Sequence, residues 1–303
     1  MLNLTLATSQ APADLKEAVK RLIAFFDLFE YPLSIWEIYY YLDKKYEILE
    51  IQEALRSSSS EVIEENNGFY FLHGRQNILV TRQARHNYAQ RKIKIARRFG
   101  AAFNKLPFVK AVAVANSLGG YNLRDGSDID FFIITAANRV WLSRLFCAGL
   151  AKLLNSRPTA KNKKDKICLS FYLAEDSLDL SVFSLPSADP YFFYWQRSLI
   201  LLYNKDKTYE RFLKINNLPG KHYEIGQTEP GNHSRLSGFV IRFWNHLERA
   251  ARSWQMKIMP ADLLEQSRRS SGVVLGDGVI KLYLSDRRLE FFKKYEEKLK
   301  LLA

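Results

Sequence analysis

Two carboxylates set one residue apart carry the first chemical signal in this chain: Asp128 and Asp130 in "SDIDFFII". Successive side chains of a strand point to opposite faces, so the two acids share one face and Ile129 takes the other. Like charges beside the apolar run Phe131 to Ile134 are costly to bury without a partner. A divalent cation with oxygen ligands, most naturally Mg²⁺, removes the repulsion. Upstream, "VKAVAVANSLGG" (Val109 to Gly120) reads as a short buried strand running into a turn with Asn116, Ser117, Gly119 and Gly120. Small residues there let backbone amides and a hydroxyl approach a phosphate closely. Strand, Ser turn and acid–apolar–acid strand together bring a phosphate cradle to metal carboxylates, as metal-assisted nucleotidyl transfer requires.

With those residues in view, "SLGGYNLRDGSDIDFFIIT" resembles the signature of the DNA polymerase beta-like nucleotidyltransferase superfamily, in particular its minimal, bacterial-type members. The resemblance is specific over Val109 to Thr135, and the fold it implies extends over roughly Asn87 to Leu185. It implies that Ser117, with Asn116 and Gly119 in the same turn, contacts the triphosphate. It also implies that Asp128 and Asp130 bind Mg²⁺ and that a third carboxylate on a later strand completes the site. The chain departs from the pattern twice. Asn116 stands where the family has Gly, and the next β-like run, "KICLSFYLAE", has Ser170 near the place where an acid is expected. Asp179 in "SLDLSVF", with Glu175 and Asp176 close by, is the expected third ligand and base. With it the site takes two ions; without it, one Mg²⁺–nucleotide and poor turnover. The bland alternative is a surface turn rich in Asp, Gly and Ser that happens to precede a strand.

Three regions must position these residues. Residues 11–80 read as three helices and a hairpin around Asn67-Gly68, with Ser34 a helix N-cap, and they resemble a winged-helix domain. The third helix carries Glu47, Glu50 and Glu53 against Arg56, and the hairpin brings Glu61, Glu64 and Glu65. Those acids repel phosphate, which favours packing or protein contact over reading DNA. Residues 81–220 form the α/β core. Its first helix is basic (Arg82, Arg85, Arg91, Lys92, Lys94, Arg97, Arg98) with an inward stripe through Tyr88, Ile95 and Phe99. A later helix with Arg139 and Arg144 covers the sheet through Trp141, Leu145 and Phe146. Residues 221–303 read as a C-terminal helical region, with Val240, Phe243, Trp244, Leu247, Ala251, Trp254 and Ile258 at helical spacing. The fold class expected is therefore α+β: a nucleotidyltransferase-like mixed sheet with helices, preceded by a winged-helix domain and followed by helices.

Composition narrows the function classes. The formal charge of +13 favours an anionic partner. Cys147 and Cys168 lie in apolar runs and suit neither a disulfide framework nor a zinc-finger spacing, which points to a reducing, cytoplasmic setting. No apolar run reaches the roughly 18–20 residues that span a bilayer, so no membrane is expected. No phosphate loop of the Gly-x-x-x-x-Gly-Lys type and no Gly-x-Ser-x-Gly elbow is present. The expectation is an Mg²⁺-dependent nucleotidyltransferase that moves a nucleoside monophosphate from an NTP to an acceptor. A small molecule, a protein side chain and a nucleic acid end all stay open as that acceptor. The alternative is a weak or inactive nucleotide-binding regulator whose winged helix docks a partner or nucleic acid.

Overall fold

The computed structural model of the chain describes residues 13–58, 61–115, 121–186, 188–220, 224–229, 238–269 and 272–302. About half of the chain is helix and about 17% strand, in mixed sheets, which places it in the α+β class. It divides into two compact units, Met1–Ala84 with Glu290–Ala303, and Arg85–Leu289.

In the first unit, α1 (Ala13–Asp27) is followed by β1 (Leu33–Ser34), α2 (Ile35–Tyr41), α3 (Ile48–Arg56), β2 (Ile63–Asn66) and β3 (Phe69–Leu72). The sheet order is β1-β3-β2. Ser34 caps α2 as the sequence predicts, in a reciprocal box with Glu37. Asn67 and Gly68, with φ of 54° and 79°, make the two-residue turn between β2 and β3.

The second unit holds most of α4 (Ile78–Asn104), then β4 (Val109–Val114), β5 (Ile129–Thr135), α5 (Val140–Leu153) and β6 (Ile167–Ala174). After a 3-10 turn at Ser181–Phe183 come α6 (Pro190–Arg197), β7 (Ile200–Lys205), α7 (Thr208–Ile215) and β8 (Glu224–Glu229). The unit continues with α8 (Gly238–Ile258), α9 (Ala261–Gln266), β9 (Val273–Leu275) and β10 (Val279–Leu282). The seven strands run in the order β8-β7-β4-β5-β6-β10-β9, with β5/β6 and β7/β8 parallel and the other pairs antiparallel.

The expected helical region over 221–303 needs correction. The run "GVVLGDGVIKLYL" forms a hairpin, β9 to β10, that extends the central sheet along β6. The last helix, α10 (Arg288–Leu301), contributes its larger part to the first unit, where Tyr295 meets Phe25 at 5.6 Å and Lys298 pairs with Asp27. The helical period that correctly identifies α8 carries no information about the strands beyond Pro260. Within α8 the buried line also differs from the one expected: Trp244, Leu247 and Ala251 pack on the core, whereas Phe243, Trp254 and Ile258 are exposed.

Alternation along β5 sorts the core into two layers. Ile129, Phe131 and Ile133 face a cluster built with α4, α5 and α8, including Phe103, Trp141 and Met259. Asp130 and Phe132 face the other side, where Phe132 meets Phe171 at 5.1 Å, Phe212 at 5.3 Å and Trp195 at 6.2 Å. α6 and α7 cover that face. Replacing fully buried Phe132 with Ala is expected to cost about 3–5 kcal/mol in urea unfolding. Val182→Ala at an exposed position is expected to stay within about 0.5 kcal/mol; equal effects for the two would contradict this packing.

Candidate functional site

The loop that leads into β5 is held by α4. Lys92 is fully buried, and its Nζ donates to Asp165 Oδ1 at 2.8 Å, Ser127 O at 2.6 Å and Asp125 O at 3.0 Å. Arg91 adds hydrogen bonds to Asp125 at 2.7 Å and to Asp165 at 3.1 Å, and Lys164 pairs with Asp125 at 2.7 Å. The basic helix turns inward most fully through Arg85, Ala89, Lys92, Ala96 and Phe103, and the expected Ile95 and Phe99 pack partly buried at the edge of that face. The lysine at its centre is what the apolar pattern does not reveal.

Asp165 stands two residues before β6, and Asp128 one residue before β5. Backbone bonds tie the two strand starts together: Asp165 N–H donates to Ser127 O at 3.2 Å, and Ile129 N–H to Lys166 O at 2.8 Å. Ala115 N–H donates to Asp130 O at 2.8 Å, so the chain leaves β4 beside Asp130. Asn116, Ser117 and Gly119, the expected phosphate contacts, lie outside the described residues.

Asp128 and Asp130 converge as expected, joined by Cys168. One carboxylate oxygen from each acid and the Cys168 sulfur lie within 4.8 Å of one another, and all three residues are half-buried. Asp130 is directly opposite Cys168 in the parallel β5–β6 pair. The register then shifts so that Phe132 faces Phe171, which places one extra residue in β6 across Leu169 and Ser170. Ser170 is buried, and its Oγ has no hydrogen-bond partner of normal geometry. Burial first, and then the charges of Asp130 and Asp128, push the Cys168 thiol well above its ordinary value.

Asp179 does not join them. It is exposed and accepts a hydrogen bond from Ser181 N–H at 2.8 Å. It follows the far end of β6, whereas Cys168 is near the start. The strand from Cys168 to Ala174 alone measures about 20 Å at ~3.3 Å per residue. Residue type favours Asp179 in the sequence, and the strand register overrides it.

The site also has neighbours that sequence reasoning missed. Burial, then the Asp130 charge, pushes Tyr191 up to about 12 and Tyr283 well above its ordinary value. Asp189 caps α6 through Phe192 N–H at 3.0 Å and pairs with buried Arg288 at 2.7 Å. Arg288 also pairs with Asp286 at 2.6 Å. Lys281 on β10 is buried beside Phe183 and Tyr283, and burial, then Arg288, brings it down to about 8. The Asp277-Gly278 turn signal flanked by apolar runs could have revealed this hairpin. At the opposite end of β5 a separate groove of about 890 Å³ is lined by Arg139, Arg242, Arg249 and Arg252 with Glu248 and Asp277.

The donor set fits one Mg²⁺ through its carboxylates, since Mg²⁺ takes one or two from a protein and fills its octahedron with water and phosphate oxygens. The thiol is foreign to Mg²⁺, so a second carboxylate-bridged ion finds no third acid among the described residues.

Lys92→Met is expected to cost about 3 kcal/mol, because Asp165 keeps Arg91 while two carbonyls lose their donor. Burial raises Asp165, but hydrogen bonds from Lys92 and Arg91 outweigh it and hold the carboxyl below the usual range. A folded value below the unfolded one means the ionised form stabilises the fold above about pH 4, a contribution lost as pH falls through the folded value. Asp165→Asn is expected to lower stability at pH 7 and to flatten the acid limb below about pH 4. An unchanged acid limb would contradict the clamp. Compared with family models, curated proteins and solved structures, the chain has no match, and no helix among the described residues is long and apolar enough to cross a membrane.

Proposed function

We propose that the second unit is a nucleotidyltransferase-like domain that binds an NTP with a divalent cation at Asp128 and Asp130 and transfers its nucleoside monophosphate to an acceptor. The observation that carries this reading is the convergence of the two carboxylates on one face at the start of β5, beside the end of β4. In the reaction an acceptor oxygen attacks the α-phosphorus, the α–β bridging P–O bond breaks, pyrophosphate leaves, and the acceptor's proton passes to solvent. A bound cation neutralises the phosphate charge that develops there. Asp128 and Asp130 hold it, and the Lys92 clamp fixes the loop from which Asp128 extends. Ser117, with Asn116 and Gly119, is proposed as the phosphate contact on the strength of the sequence resemblance alone.

A second reading is favoured by one observation. Cys168 stands opposite Asp130, and Ser170 stands near the place where a third acid is expected, so no carboxylate base joins the pair among the described residues. In that reading the domain binds a nucleotide without turning it over. The first unit, winged-helix-like in this proposal, then docks a protein partner: its α3 region carries Glu47, Glu50 and Glu53, which disfavour DNA.

Measuring Mg²⁺-dependent NTP binding by calorimetry and label transfer from an α-labelled NTP separates the readings. Both are expected to be lost in Asp128→Ala combined with Asp130→Ala, with affinity falling at least about 100-fold while the far-ultraviolet circular dichroism stays unchanged. Binding without pyrophosphate release would establish the regulatory reading. Absence of NTP binding linked to any divalent cation in the wild type would sink both.

A further inference from the structure

We propose that Asp128, Asp130 and Cys168 form a three-ligand site for a thiophilic divalent cation, with Zn²⁺ the best fit, in place of an all-oxygen Mg²⁺ site. The inference rests on the nucleotide reading only for the use of the site; the metal preference follows from the donors themselves. Mg²⁺ requires oxygen ligands in a near-ideal octahedron. Zn²⁺ accepts thiolate sulfur at about 2.3 Å and carboxylate oxygen at about 2.0–2.2 Å. A softer donor in an otherwise hard set shifts selectivity toward it.

Three features build the site. The two acids and the sulfur already lie within 4.8 Å of one another, close enough to meet one ion after small rotamer changes. Cys168 is fixed opposite Asp130 by strand register, not carried on a loop. Ser170, 5% exposed, has an Oγ without a hydrogen-bond partner of normal geometry and lies two residues along β6 from Cys168, within the register shift. Such a hydroxyl beside a sulfur is the group that a thiolate ligand uses as its supporting donor. Three protein donors leave a position open, as catalytic zinc sites do, where a phosphate oxygen of the substrate would bind. On loading, the Cys168 proton leaves to solvent and the sulfur binds as thiolate, so site and cation together carry one net negative charge.

The full-length chain, stripped with a chelator, is titrated with Co²⁺ while the thiolate-to-cobalt charge-transfer absorption in the near ultraviolet is followed. Zn²⁺ affinity is then read by competition with a chromophoric chelator. The band is expected in the wild type, displaced by equimolar Zn²⁺ and untouched by excess Mg²⁺. The chain has two cysteines, so Cys147→Ser is expected to keep the band and Cys168→Ser to lose it. Ser170→Ala is expected to weaken Zn²⁺ about 10-fold. Asp130→Asn provides a second ligand variant if Cys168→Ser fails to fold, and it too is expected to lose the band. A wild type without the band, or a band that survives in folded Cys168→Ser, overturns the proposal. NTP binding with Mg²⁺ and with Zn²⁺ supplied, measured on the same samples, keeps the two ideas apart. Nucleotide binding without a cobalt band removes the thiophilic site alone, and a cobalt band without nucleotide binding removes the nucleotide reading alone.

Discussion

A buried ammonium group is the constraint on which the site's geometry depends. Taking Lys92 out of water costs several kcal/mol unless its charge is paired and its protons are all used. Its three donors find three acceptors, one charged (Asp165) and two from the backbone (Ser127 and Asp125). Those acceptors belong to the two segments that lead into β5 and β6. One helix residue therefore sets the common starting point of the strands bearing Asp130 and Cys168. An apolar residue of similar length would pack against the same neighbours equally well, but it would leave two carbonyls without a donor in a partly buried loop.

The second constraint is parity. On β5, odd positions serve the helix-covered core and even positions the aromatic layer, so Asp130 and Phe132 share a side. On β6 the same alternation would send Cys168 and Phe171 to opposite sides. The extra residue at the register shift breaks the alternation there. Cys168 can then meet Asp130 while Phe171 stacks on Trp195 at 5.7 Å and Tyr172 returns to the opposite core. Ser170 lies in the shift, buried and with an Oγ that has no hydrogen-bond partner of normal geometry. Site and packing are thus solved by one local irregularity.

Local signals in the chain are legible where a single element decides them. The acid–apolar–acid alternation predicts a shared face, the Ser34 cap and the Asn67-Gly68 turn need only neighbours, and the α5 pattern names Trp141 as inward. What depends on pairing between distant segments is not legible. Asp179 stands out as an acid near a strand, but the place opposite Asp130 is set by how β5 and β6 align, and a cysteine stands there. Lys92 reads as one more solvated charge in a basic helix, since no local pattern reveals an acid 73 positions away. The β9–β10 hairpin carries its own Asp-Gly signal and is hidden by the strong helical period of α8 before it.

Charge acts in opposite directions at two distances. The chain as a whole carries +13, a field that draws polyanions to its surface. Within the site the sign is reversed, because Asp128 and Asp130 face an incoming phosphate at contact range, where screening by salt is weak. Nearby, Arg288 pairs with Asp189 and Asp286, and Lys281 feels the charges of all three. In the function proposed above, a triphosphate brought close by the long-range field would meet repulsion until a cation occupied the acids, so the order expected there is cation with or before nucleotide. The thiol at Cys168 then decides which cation can answer, since it is the one donor of the three that hard and soft ions treat differently.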